Sequence, residues 1–411
     1  MKKYCIFTII YLFSIHTAFT QGVTEQNKVR IAKVDSILLS QVSSQKISGA
    51  VIQIKKDNQV IYQQAYGYAQ LFDDQHQPLK DPEQMTTSHL FDIASLTKVV
   101  GTTTSIMLLV DKGLIAVDDP VGKYIPAFTI GAKSAITIRH LLTHTAGLYE
   151  WYPMYYRASN KLETFRLIDE LPLAFPVGKQ RKYSDLGFTV LGEIIEHVSG
   201  ESLDHFMQQH IFIPLKMIHT SYNPLQNQKG ARFAATSIGN PYEKRMVYDS
   251  SLGFQFPKII HTSWNGWRTY TLKGEVNDGN AWYANKGVSG AAGLFSTIND
   301  LQKLVDMLMH NGKSGNKTFL SKKTIDLFLT KDSFNNGLGW MMDPANSVIK
   351  NGPKGSFGHT GFTGTSIAVV PDRGISIILL INRQQVGLLG GKEYYNVGPI
   401  RQEIFKVVTG N

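Results

Sequence analysis

The chain has 411 residues, a formal net charge of +10, and 43% hydrophobic and 18% charged residues. This length allows two or three domains or one large composite domain, and the composition is that of a globular protein with a large core. Its 36 Gly and 15 Pro follow no period, which excludes collagen, coiled coil and bulk disorder, and the single cysteine, Cys5, excludes a disulfide scaffold.

The first 20 residues are organised like a secretory signal peptide. Residues 1–3 are basic at two positions, residues 4–13 are almost wholly apolar, and Ala18 and Thr20 suit the positions before a cleavage site. A membrane anchor is the alternative, but the apolar run is short for about 30 Å of hydrocarbon. We therefore predict a signal peptide over 1–20, a secreted or periplasmic bacterial protein, and no stable membrane anchor after cleavage.

The positive charge does not indicate a nucleic-acid partner. Export is expected, and no run of Lys or Arg is longer than two residues. An anionic cell-wall or membrane surface is a better match for this charge, although solubility alone could also account for it. The sequence leaves the oligomeric state open.

Hydrophobic periodicity predicts strands at both ends and helices between them. The predicted fold class is α+β, with an antiparallel sheet built from N- and C-terminal hairpins, flanked by helices and carrying a large, mostly helical insertion. The sheet subdomain would comprise residues 21–94 and about 330–411, the helical subdomain with long loops 95–329, and the active site would lie between them. The elements in chain order are a helix at 28–43, a hairpin at 50–62, helices at 95–111 and 185–198, loops at 220–290, a hairpin at 366–381 and a helix at about 397–408.

A possible nucleophile begins the second predicted helix. Ser95 and Lys98 form a Ser-x-x-Lys pattern, and residues three apart lie on one helix face. Serine needs a neighbouring base to attack at neutral pH, and a desolvated lysine can supply one. By itself the pattern is weak evidence, because it occurs by chance in many chains and is more often a helix cap followed by a surface lysine.

Two further motifs raise the importance of that pair. Tyr183-Ser184-Asp185 stands just before a predicted helix, and a tyrosine beside ammonium groups can have its pKa lowered. His359-Thr360-Gly361 stands before a predicted strand, where flanking glycines allow a substrate to approach the backbone.

In this order the three motifs resemble those of serine β-lactamase-related and penicillin-binding hydrolases. The class C β-lactamase-like branch is the nearer match, because it has Tyr-x-Asn at the second motif. The resemblance covers about residues 30–408 and implies a β-lactamase/DD-peptidase-like fold that works through an acyl-enzyme without a cofactor. It includes 91–95, 138–148 and 191–195, and residues 274–278 and 290–296 resemble a subgroup near cell-wall DD-carboxypeptidases.

The resemblance implies roles for the motif residues. Ser95 would be the nucleophile, Lys98 and Tyr183 would transfer protons, and the backbone N–H groups of Ser95 and Phe362 would form the oxyanion hole. The residues expected to bind substrate are Asp185, His359, Thr360 and Gly361.

Two departures from the family pattern reduce the expectation of efficient β-lactam hydrolysis. His359 replaces a lysine found in many β-lactamases, and a histidine would offer only a part-time positive charge near neutral pH. Asp185 replaces the usual asparagine, and an ionised carboxylate cannot donate to a substrate carbonyl. It could pair with Lys98 instead.

Other candidate sites are weaker. His140 and His144 are four residues apart, a spacing that would put both on one helix face, but no third zinc ligand is evident. We expect no metal, and support of the helix and the following loop is the better interpretation of the pair. Four aromatic residues could line a substrate groove or pack in the core: Trp264, Trp267, Trp282 and Tyr283.

The predicted function is that of a serine hydrolase acting on a small peptide or ester. D-Ala-D-Ala peptides of peptidoglycan are the leading substrate class. The alternatives are an esterase or D-amino-acid amidase using the same site, and a penicillin-binding sensor that acylates slowly without turnover.

Overall fold

Strands come from both ends of the chain and, in short pairs, from its middle. The computed structural model describes residues 25–346 and 348–410, so the predicted signal peptide and Cys5 lie outside the described residues. Within those ranges the strands are β1 (Gly49–Lys56), β2 (Gln59–Gly67), β3 (Phe91–Asp92), β4 (Phe295–Ser296), β5 (Lys313–Ser314), β6 (Lys317–Thr318), β7 (Phe357–Thr360), β8 (Ser366–Val370) and β9 (Ile375–Ile381).

The central sheet has the strand order β2-β1-β9-β8-β7. Every neighbouring pair in it is antiparallel, and β1 pairs with β9 so that Val51 lies opposite Leu380. The two ends of the chain therefore close one sheet, which confirms the predicted fold class.

The middle strand β9 is buried along its whole length. Its residues Ile377, Leu379 and Ile381 pack in the core formed with the first and last helices, whereas Ile378 and Leu380 pack in the larger core of the helical region. Apolar layers on both faces explain why β9 is a continuous apolar run rather than an alternating one.

Helices cover both faces of the sheet, as expected for this fold class. None of the described helices is long and apolar enough to cross a membrane. The α-helices are α1 (Glu25–Ser43), α2 (Thr104–Asp111), α3 (Ile138–Leu142), α4 (Lys161–Glu170), α5 (Asp185–Ser199), α6 (Leu203–Met207), α7 (Pro224–Asn227), α8 (Pro241–Tyr248), α9 (Ile298–Met309), α10 (Lys322–Phe328) and α11 (Gly398–Thr409).

The helix predicted over 95–111 consists of three consecutive segments. A 3₁₀ turn at Ala94–Leu96 leads into a π-helix at Lys98–Thr103 and then into α2. Wider π turns are rare and occur often at functional sites. Here a Cβ on Gly101 would lie 2.5 Å from the sulfur of Met207, so a larger residue would require the Met207 side chain to move.

Three local predictions were wrong or incomplete. The helix α3 ends at Leu142, and His144 has a φ of +60°, so His140 and His144 do not share a helix face. The third motif precedes the strand β8 as predicted, but His359 and Thr360 also lie within β7, a strand that was not predicted. The region 220–290 contains α7 and α8 as well as loops.

Candidate active site

Ser95 follows a tightly held turn after β3. The Asp92 carboxylate accepts hydrogen bonds from the backbone N–H of Ala94 at 2.8 Å and of Asn277 at 2.6 Å. Ala94 has a φ of +45°, a conformation that non-glycine residues rarely adopt. Burial raises the pKa of Asp92 to about 6, although the two N–H donors oppose the rise. The turn therefore holds Ser95 in a defined position at the start of the helical segments.

The ammonium group of Lys98 is fully buried and lies at the centre of the site. Its Nζ is 3.0 Å from Ser95 Oγ, 2.8 Å from the carbonyl oxygen of Ala291 and 2.7 Å from Asp185 Oδ1. Two of these contacts are hydrogen bonds, to Ser95 Oγ and to the Ala291 carbonyl, and the third is an ion pair with the Asp185 carboxylate. Burial alone would lower the pKa of Lys98, but the charge of the Asp185 carboxylate outweighs it and raises that pKa above its ordinary value. Lys98 is therefore an ammonium at rest.

The second motif brings Tyr183 beside this ammonium. Lys98 Nζ lies 5.1 Å from the centre of the Tyr183 ring. Burial raises the pKa of the phenol, Lys98 opposes the rise, and the Asp185 carboxylate adds to it. The net direction is upward, so the expectation of a lowered tyrosine pKa was wrong. Tyr183 is a neutral phenol that can give a proton.

The third motif contributes a neutral histidine. His359 is fully buried, and its Nδ1 lies 2.9 Å from the carbonyl oxygen of Thr360. A carbonyl only accepts, so Nδ1 carries the proton; Nε2 has no hydrogen-bond partner among residues 25–346 and 348–410. Burial, together with the charge of Lys98, lowers the pKa of His359 to about 3. The expected part-time positive charge on His359 was therefore wrong.

The turn after β7 is tied to the strand before Ser95. Thr363 Oγ1 donates to the carbonyl of Asp92 at 2.7 Å, and Thr365 Oγ1 to that of Ile93 at 3.1 Å. A Cβ on Gly361 would lie 2.1 Å from Thr365 Oγ1, so only glycine fits there. These contacts bring the first and third motifs together.

The two N–H groups predicted for the oxyanion hole lie on these joined segments. In the described residues, neither the N–H of Ser95 nor that of Phe362 donates to another group. Two free donors at one site suit a developing negative charge.

Sequence reasoning missed two arginines behind this turn. Arg383 donates from Nε and Nη2 to the carbonyl of Phe362 at 3.0 and 2.7 Å, and Arg401 donates to the carbonyl of Thr365 at 2.9 Å. Neither has a carboxylate within 4 Å in the part of the chain that the structure describes. They contact backbone carbonyls, which accept from any residue type, so no sequence pattern could have identified them.

The aromatic residues of the long loop pack against one another. The Trp264 ring centre is 4.8 Å from that of Trp267, 4.7 Å from that of Tyr283 and 4.6 Å from that of Tyr155. Trp282 instead stacks under the guanidinium of Arg268. Packing explains these contacts. The described residues contain no group of three His, Cys, Asp or Glu side chains that could hold a metal ion.

Comparison with known proteins identifies the family. The family model described as Beta-lactamase matches residues 24–397. The chain belongs to the beta-lactamase family. A curated relative from Bacillus subtilis, named N-acetylmuramyl-L-alanine amidase, is 33% identical over 390 residues, which cover 90% of this chain and 84% of the relative.

Other members of the beta-lactamase family are similarly related. A protein from Escherichia coli K12 named "Putative D-alanyl-D-alanine carboxypeptidase" is 33% identical over 353 residues, covering 80% of this chain and 77% of that protein. A solved penicillin-binding protein homologue from Pyrococcus abyssi superposes with a TM-score of 0.67 at 21% identity, covering 93% of this chain and 78% of that one. This beta-lactamase-family member is a serine hydrolase with the fold of that family.

Proposed function

We propose that the protein cleaves D-Ala-D-Ala peptides of peptidoglycan through an acyl-enzyme on Ser95, as a DD-carboxypeptidase would. One observation carries the proposal: Lys98 Nζ lies 3.0 Å from Ser95 Oγ and 2.7 Å from Asp185 Oδ1. The chain of contacts gives the serine proton a route to a carboxylate.

Acylation begins when Ser95 Oγ attacks the carbonyl carbon of the scissile bond. The hydroxyl proton moves to Lys98 Nζ while a proton already on Nζ moves to Asp185 Oδ1. Lys98 remains an ammonium, Asp185 becomes neutral, and the negative charge appears on the former carbonyl oxygen. The N–H groups of Ser95 and Phe362 would stabilise that oxygen.

Collapse of the tetrahedral intermediate requires an acid for the leaving amine. The neutral phenol of Tyr183 gives its proton to the departing nitrogen, and Lys98 replaces that proton with the one that Asp185 holds. Water then attacks the acyl-enzyme, with the same relay taking its proton, and Ser95 Oγ is protonated again. The raised pKa of Tyr183 supports the role of acid.

The substrate class is inferred from chemistry and from relatives. The relatives named above carry names of cell-wall amidases and carboxypeptidases, and the two unpaired arginines give this part of the site a positive potential for a carboxylate-bearing peptide. The neutral His359 favours the second candidate, an esterase or D-amino-acid amidase on the same site, because it offers no charge to a terminal carboxylate. A slowly acylating penicillin sensor is the third candidate.

Action on peptidoglycan would require export. We propose that residues 1–20 direct the chain to the periplasm or outside and are then removed. N-terminal sequencing of protein from the extracytoplasmic fraction would check this, and a mature chain that retains residues 1–20 would contradict it.

A substrate panel tests the function. Purified mature protein is incubated with a D-Ala-D-Ala peptide, short-chain nitrophenyl esters and a chromogenic cephalosporin, with Ser95→Ala as control. We expect release of D-alanine, and loss of both turnover and fluorescent-penicillin labelling in Ser95→Ala. Ester turnover alone would favour the esterase, labelling without turnover the sensor, and rapid cephalosporin hydrolysis would overturn the substrate preference.

A further inference from the structure

The two histidines near α3 make different contacts. His140 Nδ1 lies 3.1 Å from the N–H and 3.0 Å from the hydroxyl of Thr137, the residue that caps the start of α3. Its other ring nitrogen is near Gly178. His140 is half-buried and caps the start of α3 together with Thr137.

His144 holds the backbone on both sides of Tyr183. Its carbonyl oxygen accepts from the N–H of Lys182 at 3.0 Å, and its Nδ1 accepts from the N–H of Ser184 at 3.0 Å. Its ring lies against the phenol ring, with centres 4.4 Å apart and planes 33° apart. Two hydrogen bonds and one ring contact thus restrain the same tyrosine.

The segment after His144 continues these contacts to the next site residue. Ser184 Oγ donates to the carbonyl of Tyr149 at 2.6 Å, and the N–H of Asp185 donates to that of Glu150 at 2.9 Å. The strip at 144–150 therefore lies along the whole second motif. Its first residue, His144, turns into it with a φ of +60°.

The ring of His144 is a neutral acceptor at Nδ1. A backbone N–H can only donate, so the donor from Ser184 requires a lone pair on Nδ1 and places the ring proton on Nε2. Burial, with the charges of Arg181 and Lys98, lowers the pKa of His144 well below its ordinary value. An imidazolium would lose the Ser184 bond and repel Lys98.

We propose that His144 is a positioning residue that fixes the phenol of Tyr183 at the place where the leaving group departs. The inference rests on the proposed function, in which Tyr183 is the acid. The His144 ring contacts Ser184, Tyr183 and Phe188, so it would act on the reaction through the tyrosine. A small displacement of a proton donor lowers the rate of the step that uses it much more than it changes the affinity for substrate.

The experiment compares a poor leaving group with a good one. His144→Gly removes the side chain while tolerating the positive φ, His144→Asn keeps an acceptor near the place of Nδ1, and His140→Asn is the matched control. Substrates are a D-Ala-D-Ala peptide, whose amine must be protonated, and a nitrophenyl ester of the same acyl group, whose leaving group departs without an acid. Melting curves establish that each variant is folded.

For His144→Gly we expect kcat on the peptide to fall roughly 100-fold, as for a misplaced catalytic group, with KM within about threefold. The acylation rate with the ester should change by less than about threefold, because no proton donor is needed. His144→Asn should recover part of the loss, and His140→Asn should match the wild type on both substrates.

Tyr183→Phe separates the possible failures. If Tyr183→Phe itself leaves peptide turnover unchanged, the proposed role of the tyrosine is wrong. If Tyr183→Phe is impaired and His144→Gly is not, or if both substrates slow equally in His144→Gly, the positioning role is overturned.

In the Tyr183→Phe background, His144→Gly should add little, because the residue it positions is already disabled. Should His144→Gly not fold, the peptide-to-ester ratio of His144→Asn decides, and an unchanged ratio contradicts the proposal.

Discussion

The two sides of Ser95 differ in whether their buried charges are compensated by an opposite charge. On the side of the second motif, the Lys98 ammonium lies 2.7 Å from the carboxylate of Asp185, so one buried charge compensates the other. On the side of the third motif, Arg383 and Arg401 donate only to backbone carbonyls among the described residues, and His359 is neutral. A compensated pair can pass protons without gaining net charge, whereas uncompensated cations favour an anion. The first side therefore suits proton transfer and the second side suits the oxyanion.

The largest effect should come from removing a donor on the third-motif side. Phe362→Pro deletes the N–H proposed for the oxyanion hole, and loss of one such donor costs about 2.7–4 kcal/mol of transition-state stabilisation. The measurement is kcat/KM on the D-Ala-D-Ala peptide for the folded variant.

Phe362→Ala is the control, because it keeps the N–H and the carbonyl that Arg383 holds. It should remain within a few-fold of wild type. Full activity in a folded Phe362→Pro variant would mean that the donor lies elsewhere.

On the second-motif side, Lys98→Ala and Tyr183→Phe should each lose roughly 100-fold or more in turnover, a typical acid–base contribution. Because the two groups belong to one relay, the double variant should lose little beyond the worse single variant. Single-turnover rates of the wild type, the two single variants and the double variant complete a double-mutant cycle. If the rate losses of the two single variants multiply fully in the double variant, Lys98 and Tyr183 act independently. The second-motif side would then not work as a single proton relay.

A smaller effect should follow when the neutral His359 is charged. His359→Lys should lower KM for carboxylate-bearing peptides by about tenfold, since a hydrogen bond to a charged group contributes about 1.5–3 kcal/mol, and leave neutral nitrophenyl esters nearly unchanged. An unchanged ratio of the two activities would mean that His359 does not face the carboxylate.

The pH dependence of wild-type stability checks the neutrality of His359 separately. Its folded-state pKa of about 3 lies below the ordinary value of 6.5, so the unfolded chain binds a proton first. The contribution of His359 to the free energy of unfolding is complete above pH 6.5 and is lost as the pH falls towards 3. Denaturant titrations of wild type and His359→Gln should diverge in that direction, with the wild type losing more stability on acidification.

Local spacing was enough to predict the strands of both hairpins, α5 and the three motifs, because apolar period and turn residues act over a few positions. Contacts between distant segments were not predictable in that way. Asn277 donates to Asp92 across 185 positions, and Arg401 reaches Thr365 through a backbone carbonyl that leaves no side-chain pattern. The charge of His359 depended on its complete burial, and α3 ends before His144 because that residue turns to positive φ.

The smallest predicted effect concerns a buried acid, Glu243, which lies close enough to Asp185 and Arg268 for their charges to act on it. Glu243 Oε1 accepts from the N–H of Gly279 at 2.9 Å, and its Oε2 has no hydrogen-bond partner in the described ranges. Burial and then the charge of Asp278 raise the pKa of Glu243, so its carboxyl stays neutral and adds no second negative charge to that of Asp185. A raised folded-state pKa means that the native state holds the proton after the unfolded state has released it, so stability falls as pH rises above the ordinary value of 4.5. Glu243→Gln keeps the shape and cannot ionise, so its melting temperature relative to wild type should increase by roughly a few degrees between pH 5 and pH 9. A difference that is the same at both pH values would show an ionised Glu243, and the second-motif side would then hold a negative charge beyond that of Asp185.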